Sequence, residues 1–283
     1  MKNLYSPLMP LTLSGLLGLC CVGLAQAQNY HFLKEIPVGG EGGWDYLSVD
    51  AQGRRLYVSH ATKVVVIDLE KEAVVGEIPD TPGVHGVALA PDLGRGFTSN
   101  GGEDKSSIVD LKSLKLVAKV ETGPNPDGML YEPGQLEVYM FNGRGQSATV
   151  FAAKTGNVMA TIPLAGKPEF AVADAKAERV YNNLEDKSEV AVIDTKTHQV
   201  LSRWPISPGE EPSGMAIDVA HHRLFLGCGN QKMVMMDSTK GKVVACVPIG
   251  SGVDGPLRCS PRRQATWWRR FRWPGNLNLP LLT

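Results

Sequence analysis

One feature limits what this chain can fold into: a short turn signal that returns at a fixed interval. Ile67-Asp68 recurs as Val109-Asp110, Phe151-Ala152, Ile193-Asp194 and Met236-Asp237, a period of about 42 residues. An apolar segment follows each turn: Val74–Ile78, Leu116–Val120, Val158–Ile162, Val200–Trp204 and Val243–Val247. A second motif opens each unit, as Gly43-Trp44-Asp45-Tyr46, Val84-His85-Gly86-Val87, Pro126-Asp127-Gly128-Met129, Pro168-Glu169-Phe170-Ala171 and Pro212-Ser213-Gly214-Met215, and begins a sixth time at Val253-Asp254-Gly255. Within one unit, Leu56–His60, Lys63–Asp68 and Ala73–Ile78 read as three short strands, rich in Val and Ile and divided by polar turns. Val64, Val66 and Asp68 share one face, and Val65 and Ile67 share the other. So small a sheet cannot bury both faces alone and needs copies of itself on either side. With an inner strand such as Tyr46–Val49 or Met215–Ile217, each unit becomes four strands joined by hairpins, with no helix. The expected fold is all-β, a β-propeller of four-stranded antiparallel blades with five units recognisable.

Tyr57-Val58-Ser59-His60 followed by Val65-Val66-Ile67-Asp68 resembles the YVTN repeat. The phasing resembles the YncE-like family of exported bacterial propellers over the span Gln28 to Gly255. The resemblance implies a seven-bladed ring, so the ring is expected to be incomplete here. It implies export, and it implies no particular reaction.

Three segments are expected: a signal peptide over 1–27, the propeller over 28–255 and an aberrant tail over 256–283. Lys2 gives the leader its positive start, Leu11–Leu24 is apolar without charge, and Ala25-Gln26-Ala27 is a small-x-small cleavage site. The apolar run is too short for a membrane anchor, and no basic cluster follows it. The chain is therefore expected to be periplasmic or secreted, with no membrane span once the leader is removed. Within Tyr30–Val38, Glu35-Ile36-Pro37 matches Glu77-Ile78-Pro79, so this segment reads as an outer strand without a blade of its own. The tail carries six Arg and three Trp with no Asp, Glu or Lys, and it has none of the repeat's alternation. A basic aromatic arm for nucleic acid or membrane is one reading. An out-of-frame translation accounts for more. One nucleotide forward, codons for Leu257-Arg258-Cys259 can encode Phe-Asp-Ala, and those for Phe271-Arg272-Trp273-Pro274 can encode Ser-Asp-Gly-Pro.

The formal net charge is zero. Setting aside Lys2 and the six tail arginines leaves 22 basic against 29 acidic residues, an acidic body that argues against a nucleic-acid partner. Cys228, Cys246 and Cys259 follow the leader; buried free thiols are expected, and a Cys228–Cys246 bridge would need Cα atoms within about 7 Å. No Cys-x-x-Cys-His occurs, so covalent haem is not indicated, and no cofactor is assigned. A monomer is expected.

Each blade of a propeller brings the start of its inner strand to the central channel. The opening motifs therefore place Asp45, His85, Asp127, Glu169, Ser213 and Asp254 around one mouth. Such residues can cap neighbouring amides and hold channel water, or they can converge on a cation or polar ligand. Trp44 could stack on a ligand there or pack between blades. A second series, His60, Asn100, Asn142, Leu184 and Cys228, ends the second strands, where hydrogen-bonding side chains commonly serve the local backbone. His60 and His85 with Asp45 would make a metal site only if their ligand atoms met one ion, so no metal ligand is assigned. The expected function is binding or scaffolding, with a small molecule or protein at the mouth. A propeller enzyme, of metal-dependent lactonase or cofactor-bearing dehydrogenase type, is the competing class on fold analogy alone, and a surface interaction module is the third.

Overall fold

A computed structural model describes residues 34–254 as five antiparallel sheets of four strands each. The first contains β1 (Trp44–Asp50), β2 (Arg55–His60), β3 (Lys63–Asp68) and β4 (Ala73–Ile78). The second has β5 (Val84–Ala90), β6 (Arg95–Asn100), β7 (Lys105–Asp110) and β8 (Lys115–Glu121). The third has β9 (Pro126–Glu132), β10 (Glu137–Asn142), β11 (Ser147–Ala152) and β12 (Val158–Pro163). The fourth has β13 (Pro168–Asp174), β14 (Arg179–Leu184), β15 (Glu189–Asp194) and β16 (Val200–Pro205). The fifth has β17 (Pro212–Asp218), β18 (Arg223–Cys228), β19 (Lys232–Asp237) and β20 (Val243–Pro248). Strand order follows chain order in every sheet. Among the described residues the only helices are two single 3₁₀ turns, at Pro91–Leu93 and Glu185–Lys187, and none could cross a membrane. The leader and tail expectations lie outside the described residues.

Both faces of the second, third and fourth sheets are apolar because each of these is sandwiched between two others. Tyr57, Val64, Val66 and Ile78 of the first sheet meet Val84, Val87 and Val109 of the second. Tyr139, Phe141, Ala148 and Val150 of the third meet Ala171, Val180, Ala191 and Ile193 of the fourth. The inner strands follow in order, β1 on β5, β5 on β9, β9 on β13 and β13 on β17. The sheets thus fan about a common line. Ile36, ahead of the first sheet and 1% exposed, packs on Leu56, Val58, Val65 and Ile67. It meets that face as Ile78 meets the face of the second sheet, which agrees with the Glu35-Ile36-Pro37 match.

The recurring Asp has a local cause. Asp68, Asp110, Asp194 and Asp237 each end a third strand, and each carboxylate accepts backbone N–H bonds from two or three residues ahead, such as Glu70 and Lys71 for Asp68. These bonds close the turn and hold all four acids below their ordinary range, Asp237 at about 2, where the Thr239 hydroxyl adds the largest share. Arg95, Arg179 and Arg223 pair with Asp110, Asp194 and Asp237 within their own sheets. The third sheet departs from this rule, with Glu137 and Ala152 at the two positions. Its Glu137, 4% exposed, turns to the fourth sheet instead, where His198 Nε2 lies 3.1 and 3.0 Å from its two oxygens. The Tyr139 hydroxyl donates to the same carboxylate at 3.2 Å.

Cys228 and Cys246 are free thiols in strands separated by β19. Two strand spacings amount to roughly 9.5 Å, beyond disulfide reach. Burial first, then the nearby Cys246, pushes the Cys228 thiol up to about 11.

The Glu137–His198 contact joins two sheets, so its loss should be felt as a coupling. A double-mutant cycle of Glu137→Ala and His198→Ala, read by urea unfolding, is expected to give an interaction of about 1–2 kcal/mol. Strictly additive losses would show that the two side chains do not act together.

Candidate functional site

Every inner strand pairs irregularly with its second strand at one place. In the first sheet the register runs Trp44↔His60 and then Leu47↔Val58, so the inner strand carries one extra residue. The same excess lies between Val84 and Val87, between Pro126 and Met129, between Pro168 and Ala171, and between Pro212 and Gly214. The opening motif is therefore a β-bulge in all five sheets. Bulges bend a strand and re-aim a side chain; here the bulged residues are Asp45, His85, Asp127, Glu169 and Ser213.

The geometry brings most of these together. His85 Nδ1 lies 2.8 Å from Asp45 Oδ2 and 3.7 Å from Asp127 Oδ1, so one imidazole stands between carboxylates of the sheets on either side. Its Nε2 faces Asn125 Nδ2 at 3.5 Å. Glu169, 7% exposed, pairs with Lys167 at 2.8 Å, and Lys167 also contacts Glu185. The Ser213 hydroxyl donates to the Val253 carbonyl at 3.1 Å. Asp254 lies close enough to Asp127 and Tyr46 for its charge to act on both.

The next residue along each bulge makes a floor. These positions hold Tyr46, Gly86, Gly128, Phe170 and Gly214. Tyr46 meets Phe170 edge-on, with ring centroids 5.6 Å apart, spanning from the first sheet to the fourth. A Cβ on Gly86 would stand 2.7 Å from the Met129 side chain and 3.0 Å from the Tyr46 ring. A Cβ on Gly128 would stand 2.4 Å from the Glu169 carbonyl. Glycine is needed where strands crowd toward the axis, and two aromatic rings fill what remains. Sequence reasoning missed Tyr46 as a site residue. The signal was present as the alternation of aromatic and glycine at one repeat position.

The cup is electrostatically unrelaxed. Burial lifts Asp127 to about 6, with His85 opposing the shift and Asp45 and Asp254 adding to it. Burial lifts Glu169 to about 7; Lys167 opposes this, and Asp127 adds to it. Tyr46 is raised well above the ordinary phenol, by burial and then by the charges of Asp127, Glu169, Asp45 and Asp254. For His85, burial pulls downward, but the bond to Asp45 and the charges of Asp127 and Asp45 outweigh it and the imidazole is raised.

The remaining candidates lie apart from the cup. His60 stacks on Trp44 with centroids 3.7 Å apart and planes 7° from parallel, and its Nδ1 is 3.2 Å from the Gly43 carbonyl. Trp44 packs with the core that joins Ile36 to the first sheet, rather than taking a place in the cup. Asn100 donates to Glu103 and Ser107, and Asn142 donates to Ser147 and Thr149, each holding the hairpin of its own sheet. Among the described residues no group of three or more His, Cys, Asp or Glu side chains is arranged to hold a metal ion.

Solved structures repeat this arrangement of sheets. The Cps50 (Swd1) β-propeller domain of Myceliophteria thermophila superposes with a TM-score of 0.62 at 12% identity, covering 74% of this chain and 68% of that one. The fold is a β-propeller. Hydrazine synthase of Kuenenia stuttgartiensis matches the propeller with a TM-score of 0.56 at 15% identity, covering 74% of this chain and 87% of that one. Identities this low speak for the fold alone. No protein-family model and no curated protein sequence matches the chain.

The raised carboxylates carry a stability consequence. A folded-state pKa above the unfolded one means that the folded cup binds protons more tightly, so its contribution to stability falls as pH rises through about 4 to 7. Asp127→Asn is therefore expected to stabilise the protein by about 1–2 kcal/mol at pH 8 and to change little at pH 4. Denaturant midpoints at the two pH values check this. A loss of stability at pH 8 would show that Asp127 is fully compensated where it stands.

Proposed function

We propose that this propeller is an exported binding protein whose channel mouth receives the cationic end of a small ligand or of a partner's side chain. The observation that supports this most is the state of Asp127 and Glu169. Two carboxylates from neighbouring blades are held in a confined cup with their ionisation opposed. A cation with N–H donors would relieve that opposition, and charge-assisted hydrogen bonds to carboxylates are among the stronger polar contacts. Tyr46 and Phe170 beneath the ring add aromatic surface suited to an alkylammonium or guanidinium group. The Ser213 hydroxyl is engaged with the Val253 carbonyl, which favours a structural part for it over that of a nucleophile.

Arginine amide is a suitable probe. At pH 8, calorimetry is expected to show binding that weakens by about tenfold or more in Asp127→Asn and in Glu169→Gln, because each loses a charged hydrogen-bond partner. Equal affinity in all three proteins would move the ligand away from this cup.

Export rests on the leader pattern of Met1–Ala27. The mature protein recovered from a bacterial periplasm is expected to begin at Gln28. Intact mass spectrometry decides this, and a retained leader in the soluble fraction would remove the assignment.

A further inference from the structure

His85 is the one imidazole of the cup, a group that gains positive charge on protonation where its neighbours only lose negative charge, and its position is unusual. It belongs to the second blade, yet its Nδ1 is within 2.8 Å of a carboxylate from the first and 3.7 Å of one from the third. That nitrogen stands where a ligand's N–H donor would need to stand to reach Asp45 and Asp127 together. We propose that His85 is an internal counter-ion for the mouth: its protonated ring occupies the cation position, and an incoming cation is taken up in exchange for the proton. This rests on the cation reading of the cup and adds its regulation.

The surroundings fit two states of the ring. With Nδ1 as donor to Asp45, Nε2 is free to accept from the Asn125 amide, which suits the neutral imidazole. Protonation places a second N–H against that amide, and the Asn125 side chain must then turn its oxygen inward. The Asn125 backbone is held from elsewhere, by the Asp104 carboxylate at 2.7 Å, so the turn is confined to the amide. From β1 the ring is faced by Asp45, from β9 by Asp127, and from β13 by Glu169, whose charge is shared with Lys167. Gly101, in the β6–β7 hairpin with Glu103 and Asp104, closes over Nε2: a Cβ there would stand 2.7 Å from it. That bounds the ring on one side only; its side chain keeps 26% of its surface exposed, so once uncharged it can yield its place to a cation entering from the mouth.

The direction follows from the groups named. Loss of the His85 proton and ionisation of Asp127 and Glu169 all occur as pH rises, and all three favour an external cation. Binding should then tighten with pH, by up to about tenfold per pH unit for each proton exchanged. Binding of methylguanidinium, which keeps its single charge throughout this range, to the full-length protein at pH 6 and pH 8 in buffers of different ionisation enthalpy tests this. The wild type is expected to release protons on binding and to bind more weakly at pH 6. His85→Gln keeps a hydrogen-bonding side chain without the charge; it is expected to bind several-fold tighter than wild type at pH 6 and to release fewer protons. Weaker binding by His85→Gln at both pH values, with the same pH slope, would make His85 a ligand contact and overturn the exchange. No binding by either protein at either pH would overturn the cation reading and the exchange with it. A second measurement needs no variant: the NMR titration midpoint of His85 in the wild type is expected to fall when methylguanidinium is saturating, because the coupling is reciprocal. An unchanged midpoint in a protein that binds the probe would refute the exchange alone.

Discussion

The structure depends on one extra residue at the head of each inner strand. A regular strand would point alternate side chains into the two faces between blades, where only apolar groups are tolerated. The bulge breaks that alternation for one step. It lets Asp45, His85, Asp127 and Glu169 leave the sandwich and gather at the axis while Leu47, Val87, Met129 and Ala171 return to the ladder pairing. Because all five blades carry the same irregularity, the cup is a property of the repeat and not of any single blade.

Crowding at the axis then decides the floor. Only some of the converging positions can bear a side chain: glycine at 86 leaves room for Met129 and the Tyr46 ring, and glycine at 128 for the Glu169 backbone. Burial near the axis is what opposes ionisation of Asp127 and Glu169. The blade ends away from the mouth show the contrast. There Asp68, Asp110, Asp194 and Asp237 receive backbone N–H bonds and ionise readily. The same residue type serves turn closure at one end of the blade and stays unsatisfied at the other, and backbone amides make the difference.

The fold was legible because its signal is periodic. The turn aspartates marked where third strands end, and Lys63–Asp68 and Ala73–Ile78 were readable to the residue. The meeting of Asp45, His85 and Asp127 follows the same phase. The bulge was not legible, since it adds no distinctive residue type and appears only when two strands are paired. Tyr46 was read only as the start of an inner strand, because its meeting with Phe170 joins blades that are not neighbours in the chain. Trp44 and His60 share a repeat position with neither floor nor ring; their partner is the loop at Gly40, whose Cβ would stand 2.5 Å from His60 Nε2. Such a contact joins residues twenty positions apart outside the repeat, where periodicity carries no information.

Departures from the repeat carry the rest. Where the Arg and Asp of the other blades become Glu137 and Ala152, the carboxylate gains a partner in the next blade through His198. Where most ring positions hold an acid, His85 supplies a cation of adjustable charge between two of them. In both places an imidazole meets a carboxylate from a different blade. At His198 the pair is buried beside the Tyr139 hydroxyl and closed to competitors. At His85 it opens onto the mouth, with Asp45 exposed at its rim. One chemical pairing thus fastens blades where solvent is excluded and stays in reach of solvent where the mouth opens.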